Sequence, residues 1–293
     1  MPHKSGFVNI IGNPNVGKST IMNEMVGEKL SIITSKSQTT RHRIMGIVNT
    51  DDYQIVYSDT PGILKPNYKL QEKMMRFVGT AFEDADIILY ITDVVETTDK
   101  NEQYIEKLAK VNVPILLLVN KIDLTDQEKL EKLVDTWKKR LPNVEIIPIS
   151  AIKKFNLSHV FNRIVDLLPE GEPFFPKDAL TDKTERFFVS EIIREKILLH
   201  YRNEIPYSVE IEIEEFKDEE KILRIRAIIH VVRPSQKGII IGHKGQSLKR
   251  VGTEARLDIE EFFGKKVFIE IYVKVSKDWR DKDRSLRGFG YNA

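Results

Sequence analysis

The sequence predicts a mostly parallel α/β domain of six strands with helices on both faces, followed by a smaller α+β domain. Three observations carry this. Up to Leu168, short apolar runs alternate with segments of helical period. The stretch Leu168–Pro176 then places three prolines and a glycine in nine residues. Beyond it the order becomes helix, strand, strand, short helix, helix, strand. Strands alternating with helices form parallel sheets buried on both faces, and a Pro/Gly-rich break marks a domain boundary. The expected division is a first domain over residues 1–170, a linker over 171–182 and a second domain over 183–293.

In chain order, Phe7–Ile11 is an apolar run ending at Gly12, and Ser19–Val26 has helical period. Arg43–Asn49 and Gln54–Ser58 flank the acidic pair Asp51-Asp52 as the arms of a hairpin. Asp86–Asp93, Pro114–Asn120 and Val144–Ser150 read as buried strands. Helical patterns occupy Tyr68–Phe82, Asn101–Lys110, Gln127–Arg140 and Leu157–Leu168. In the second part, Lys183–His200 reads as a helix. Val209, Ile211 and Ile213 alternate with Glu210, Glu212 and Glu214 as a half-buried strand, and Ile222–Val232 is its neighbour. Gln246–Phe263 is helical, and Val267, Ile269, Ile271, Val273 and Val275 share one face of a last strand.

Of the 293 residues, 41% are hydrophobic and 31% charged, which supports a sizeable core and excludes a disordered or collagen-like chain. There is no cysteine, so a disulfide scaffold, a Cys-ligated zinc site, an iron–sulfur cluster and a thiol nucleophile are excluded. No signal peptide is read at the start. The longest apolar runs, Ile87–Ile91 and Ile115–Val119, are too short to span a bilayer, so a soluble protein is expected. The net charge of +2 hides a sorting of signs. Residues 204–220 hold eight carboxylates and one lysine, whereas residues 221–256 hold nine basic residues and one acid. The second stretch is an electrostatic footprint for a polyanion.

Gly12-Asn13-Pro14-Asn15-Val16-Gly17-Lys18-Ser19 fits G-x-x-x-x-G-K-[ST] between a strand and a helix, with Thr20 following. The glycines let backbone N–H groups converge on a phosphate, Lys18 adds charge at the β/γ-phosphates, and the Ser19 hydroxyl suits Mg²⁺. The helix start points its positive dipole end at the same anion. Asp59-Thr60-Pro61-Gly62 ends a strand, where Asp59 can hold Mg²⁺ through water and the Gly62 N–H can sense a γ-phosphate. Asn120-Lys121-Ile122-Asp123 follows another strand. Asp123 can accept from the N1–H and exocyclic amine of guanine, donors that adenine lacks. Ser150-Ala151-Ile152-Lys153 can supply a backbone N–H to the guanine oxygen.

With Thr39-Thr40, these segments resemble the five ordered motifs of translation-factor-related GTPases. The run Gln38-Thr39-Thr40-Arg41-His42-Arg43, the DTPG variant and the second half of the chain narrow the resemblance to the Era family of bacterial GTPases, over almost the whole length. The resemblance implies an α/β P-loop GTPase domain that binds GTP or GDP with Mg²⁺. Gln38–His42 would form the first switch, with Thr40 closing on Mg²⁺ beside Ser19. Sequence alone does not separate Thr40 from Thr39. Ile63 stands where Ras-like enzymes place a water-orienting glutamine, which implies slow intrinsic hydrolysis. Asn15 matches an asparagine that coordinates K⁺ in related GTPases, with loop shaping as the alternative.

In the second half, Gly242-His243-Lys244-Gly245 is a GxxG inside the basic stretch. Such a turn lets backbone clamp a single strand of about four nucleotides. Arg233, Lys237, Lys244, Lys249 and Arg250 can track phosphates. Ile240 and Ile241 can offer an apolar floor to bases, although at least one of them is expected in the core. The element order resembles a type II KH domain. For the Era family this implies binding to the 3′ end of 16S ribosomal RNA, favoured by GTP, and a role in assembly of the 30S subunit. It also implies a cytoplasmic monomer with weak peripheral contact at the inner membrane face. The other readings are an RNA module merely gated by nucleotide, and a membrane-associated regulatory GTPase. Arg280, Lys282, Arg284 and Arg287 read equally as RNA contacts or as solvated charges.

Overall fold

The computed structural model describes residues 2–97 and 101–292. The chain divides into two units. Met1–Ser31, Thr40–Pro66 and Met74–Asp182 make the first, and Ile32–Thr39, Asn67–Lys73 and Lys183–Ala293 the second.

The first unit holds β1 (Lys4–Gly12), β2 (Ile44–Asn49), β3 (Tyr53–Asp59), β4 (Ile87–Asp93), β5 (Ile115–Asn120) and β6 (Glu145–Pro148) in one sheet of order β2-β3-β1-β4-β5-β6. Every pairing is parallel except β2 with β3, which the hairpin at Asp51-Asp52 makes antiparallel. Strand β4 is buried along its whole length, as expected when helices cover both faces. The helices are α1 (Lys18–Val26), α2 (Lys69–Glu83, of which Lys69–Lys73 fall in the second unit), α3 (Glu102–Leu108), α4 (Gln127–Arg140) and α5 (Leu157–Leu167). Val78, Phe82, Ile105 and Trp137 pack with Ile88, Tyr90 and Leu117 on one side, while α1 and α5 bury Ile21, Met22, Val160 and Ile164. Because β1, β3, β4, β5 and β6 run in one direction, the loops that follow them gather at one edge, where such sheets bind ligands.

Residues 171–182, expected as a linker, are laid along the first unit. The buried Gln54 amide accepts from the N–H groups of Phe174 and Phe175 and donates to the Phe175 carbonyl. Phe174 packs on Phe7 at 4.7 Å between ring centroids. The Ile47 N–H donates to the Leu180 carbonyl at 2.8 Å, and Asn49 Nδ2 to the Ala179 carbonyl at 3.0 Å. Prolines remove donors but not carbonyls, and these carbonyls find the donors that strand β2 presents.

In the second unit, α6 (Glu185–His200), the short α7 (Ile205–Ser208), β7 (Glu210–Asp218), β8 (Ile222–Val231), α8 (Pro234–Ile241), α9 (Gln246–Phe263) and β9 (Lys266–Val275) give the expected order, and α10 (Asp283–Gly288) follows. The sheet order is β7-β8-β9, with β7 antiparallel and β9 parallel to β8. Helix α6 starts at Thr184, whose side chain accepts from the Phe187 N–H. Its Val189, Ile193 and Ile197 meet Ile225, Ala227, Ile229, Val251, Ala255 and Ile259 in one core. Beyond β9, Trp279 is fully buried, donates Nε1–H to the Ser208 carbonyl at 3.1 Å and packs edge-on to Phe289. Of the C-terminal cations, Arg280 is committed to this packing: its guanidinium donates to the Tyr207 carbonyl at 3.2 Å and lies over the Tyr68 ring.

Each unit carries one tryptophan, Trp137 in the first and Trp279 in the second. Ile193→Ala is expected to destabilise the second unit by about 2–5 kcal/mol. Denaturant titration of Trp279 fluorescence in a Trp137→Phe background measures this; a loss under about 1 kcal/mol would mean that Ile193 is not a core anchor.

Candidate nucleotide site and nucleic-acid interface

The loop between β1 and α1 is shaped by its glycines. Gly17 sits at φ 103°, and a Cβ there would lie 2.2 Å from the Asn120 amide nitrogen. Only glycine permits both the conformation and the approach. The Lys18 ammonium lies inside the loop, donating to the carbonyls of Gly12 and Asn13 at 3.1 and 2.7 Å. Burial pulls its pKa down to about 8, against the opposite pull of Asp59 and Glu96. A phosphate in this loop would restore the ammonium's preference for its charged form.

Three oxygens meet beside the loop. Ser19 Oγ is 2.6 Å from Asp59 Oδ2 and 2.9 Å from Thr40 Oγ1, and Thr40 Oγ1 is 3.3 Å from the same carboxylate oxygen. Thr39 points elsewhere, bonding Thr34 Oγ1 and the Lys36 carbonyl. Of the two threonines, Thr40 is the one whose hydroxyl lies beside Ser19 and Asp59. Asp59 is fully buried, and its Oδ1 has no hydrogen-bond partner. Burial pushes this carboxyl's pKa up, while Lys18 and the hydroxyls of Ser19 and Thr40 pull it down. A buried carboxylate oxygen without a partner, beside two hydroxyls, is a donor set that suits Mg²⁺. Ile63, directly after Gly62, is buried in the core with Ile11 and Val78, so its side chain faces away from the phosphate loop. Arg43, last of the first-switch run, is structural: it binds Ser58, Asp84 and Asn9.

Asn120 ties this loop to the far end of the sheet. Its Nδ2 donates to the Val16 carbonyl at 2.8 Å, and its Oδ1 accepts from the Ala151 N–H at 3.0 Å. Lys121 has left-handed backbone and donates to the Asn15 carbonyl at 2.7 Å. Asp123 is exposed, with Ser150 Oγ donating to it at 2.5 Å. Ile152 is also exposed. Sequence reasoning missed two acids, one closing β4 and one in the loop that follows it. Asp93 pairs with Lys121, and Glu96 accepts from Asn13 Nδ2 at 2.7 Å. That Asp93 ends an apolar strand was the available signal.

In the second unit, α8 ends at Gly242 (φ 70°), where a Cβ would fall 2.2 Å from Ser247 Oγ, and α9 begins at Gln246. This close turn opens onto a groove of about 390 Å³ lined by Gly245, Leu248, Lys249, Gly252, Thr253, Arg256, Ile269 and Ile271. The apolar part of that lining is Leu248 with Ile269 and Ile271 of β9. Ile240 is fully buried in the core and does not offer a surface; its carbonyl accepts from Tyr201. Ile241 packs against the same core, and the exposed member of the run is Ile239. The nine basic residues of the footprint also divide. Arg224, Arg226, Arg250 and Arg256 are paired with Glu219, Glu270, Glu254 and Glu260. Among the described residues, Lys221, Arg233, Lys237, Lys244 and Lys249 form no ion pair, and all five are exposed. Arg250 bonds Glu254, which His200 also engages.

The fold and these two sites define a GTP-binding domain joined to a KH module. Residues 7–121 match the family model of the 50S ribosome-binding GTPase, and residues 204–280 that of the KH domain. The chain is 46% identical to GTPase Era of Clostridium kluyveri over 98% of this chain and 99% of that one. It is 44% identical to GTPase Era of Staphylococcus haemolyticus over 99% and 97%. A crystal structure of a single-residue variant of Aquifex aeolicus Era bound to GDP·AlF4⁻ superposes with a TM-score of 0.94 at 40% identity, over 99% of this chain and all of that one. A crystal structure of Era with MgGDPNP and nucleotides 1506–1542 of 16S ribosomal RNA gives the same score, identity and coverage. The chain belongs to the Era family of GTPases.

Asp123→Asn replaces an acceptor by an amide that can donate. It is expected to weaken GTP binding by about 100-fold or more, and to favour xanthosine triphosphate, whose base carries an oxygen where guanine carries the amine. Titration with fluorescent analogues of both nucleotides measures this; unchanged GTP affinity would remove Asp123 from base recognition.

Proposed function

We propose that this chain is a GTP-driven switch that binds the 3′ region of 16S ribosomal RNA through its KH groove and assists maturation of the 30S subunit. The observation that carries the RNA part is a close GxxG turn beside an apolar groove, with Lys244 in the turn and Lys249 on the groove, both exposed and, among the described residues, without an ion pair; Arg233 and Lys237 lie further along α8. Such a site suits a short single strand, its backbone on the turn and its bases on Leu248, Ile269 and Ile271. His243, exposed in the turn, adds a donor. The match to an Era structure holding MgGDPNP and 16S ribosomal RNA supports the same partner. Arg250 contributes less, because Glu254 already neutralises it.

In the proposed nucleotide site, residues 12–20 hold the phosphates, with Lys18 at their oxygens. Ser19, Thr40 and Asp59 hold Mg²⁺, which when bound neutralises charge on the β- and γ-phosphates. Gly62 senses the γ-phosphate beside Thr60 and Pro61. Asn120, Lys121, Asp123 and Ala151 form the guanine pocket. With Ile63 facing the core, no side chain at that position orients water, and slow intrinsic hydrolysis follows. Asn15 is the proposed ligand of a potassium ion. Hydrolysis is then expected to be faster in K⁺ than in Na⁺, and equal rates in stopped assays would confine Asn15 to shaping the loop, for which its left-handed backbone is suited. The proposal includes cytoplasmic residence with at most weak peripheral membrane contact; no helix among the described residues is long and apolar enough to cross a membrane.

Fluorescence anisotropy of a labelled strand from the 3′ end of 16S ribosomal RNA, against a scrambled strand, tests the function. Binding is expected to be selective and tighter with a non-hydrolysable GTP analogue than with GDP. Lys249→Ala is expected to weaken it and to reduce the salt slope by about 0.7. Equal binding in both nucleotide states would remove the switch, and no selectivity would remove the ribosomal target.

A further inference from the structure

The second unit takes in Ile32–Thr39, the residues that lead directly into Thr40. Its α6 carries a buried ionic device aimed at that segment. The Arg194 side chain is 1% exposed, and its Nε and Nη2 grip the two carboxylate oxygens of Glu191 one turn earlier, at 2.7 and 2.5 Å. Nη2 also donates to the Thr39 carbonyl at 2.5 Å. Burial works against this charge, but Glu191 outweighs it and holds the guanidinium above its ordinary pKa. Glu210 is buried in the same unit and accepts from the Tyr291 hydroxyl at 2.7 Å. Two further contacts fix the segment: Lys36 Nζ caps the carbonyls of Leu198 and Tyr201 at the end of α6, and Gln38 Oε1 accepts from Tyr68 at 2.9 Å.

A buried Arg–Glu pair is a poor source of stability, because desolvation consumes most of the Coulomb attraction. An apolar pair would fill α6 at least as well. What an apolar pair could not do is hold a backbone carbonyl outside the helix. Thr39 provides that carbonyl, and one peptide bond later Thr40 stands against Ser19 and Asp59.

We infer that Arg194 is a positioning residue for the nucleotide switch: by fixing the Thr39 carbonyl it sets the loop in which Thr40 presents its hydroxyl to the Mg²⁺ site. This rests on the assignment of Thr40 to Mg²⁺ in the GTP form. A contact that acts through Thr40 favours that form alone, so its loss changes the preference between nucleotides rather than both affinities. Thr39 released from Arg194 would leave a second guanidinium N–H buried without a partner, beside Nη1, which has none.

The test titrates full-length variants with fluorescent GDP and a fluorescent non-hydrolysable GTP analogue in excess Mg²⁺. Arg194→Met is expected to lower the preference for the GTP analogue by about tenfold, with GDP affinity unchanged. Lys36→Met, which loosens the same segment at the surface, is expected to lower it less. The double variant Glu191→Met/Arg194→Met leaves no buried charge stranded and is expected to show the same loss as Arg194→Met, with Trp279 fluorescence confirming the fold. An unchanged preference in the double variant, or equal weakening of both nucleotides, would overturn the inference. Thr40→Ala separates the two layers: if it leaves the preference intact, the Mg²⁺ assignment fails; if it lowers the preference while the Arg194 variants do not, the inference alone fails.

Discussion

The nucleotide site depends on the placement of one amide. Asn120 is buried at the end of β5, with its nitrogen on the Val16 carbonyl and its oxygen on the Ala151 N–H. It therefore spans the phosphate loop after β1 and the base loop after β6. The span is possible because Gly17 has no Cβ, and because parallel β1, β4, β5 and β6 end at one edge. An Asp at position 120 could accept from Ala151 but would face the Val16 carbonyl with a second acceptor, so even an isosteric change would separate the loops. Lys121 then adds a second tie to the phosphate loop through the Asn15 carbonyl. The affinity motifs are distant in sequence, yet they are one hydrogen-bonded object.

Much of this was legible because each motif sits after a run of buried strand residues, and strand periodicity is a local signal. Gly12–Ser19, Asp59–Gly62 and Asn120–Asp123 all stand at strands whose C-terminal ends fell within a residue of expectation. What was hidden depended on pairing across the fold. Residues 171–182 read as a linker from their prolines, yet Gln54 and strand β2 hold them by hydrogen bonds that no local pattern announces. Ile240 and Ile241 looked alike in sequence. Helix α8 turns Ile240 into the core and leaves Ile239 outside. The groove lining on β9 was visible only as an apolar face shared by Ile269 and Ile271, because periodicity gives a side of the strand and not what covers it.

Charge shows the same limit. The basic stretch over residues 221–256 behaves as two populations. The arginines mostly answer carboxylates, and Arg226 alone faces Glu214, Glu215 and Glu270. Its pKa is held up, with Glu270 as the leading cause. The acidic run on β7 is therefore less a separate feature than the counter-charge of β8. What remains for a polyanion is smaller than the linear count, but it is concentrated near the helix–turn–helix that closes on Gly242 and Gly245. A modest net charge with a focused cationic site favours binding in one place over binding everywhere.

The connector over residues 171–182 also covers an edge of the first unit's sheet. Strand β2 is the edge of the six-stranded sheet. Thr181 bridges Gly46, the Leu180 carbonyl takes the Ile47 N–H, and Asp182 takes the Met45 N–H. These contacts occupy the donors that an open edge would offer to another sheet. A fragment cut at the prolines would bare that edge and invite strand-to-strand association, whereas one ending after Asp182 would keep its guard. The segment that looks most dispensable in the sequence is thus the seal on the sheet, and chain-chain aggregation is what it holds off.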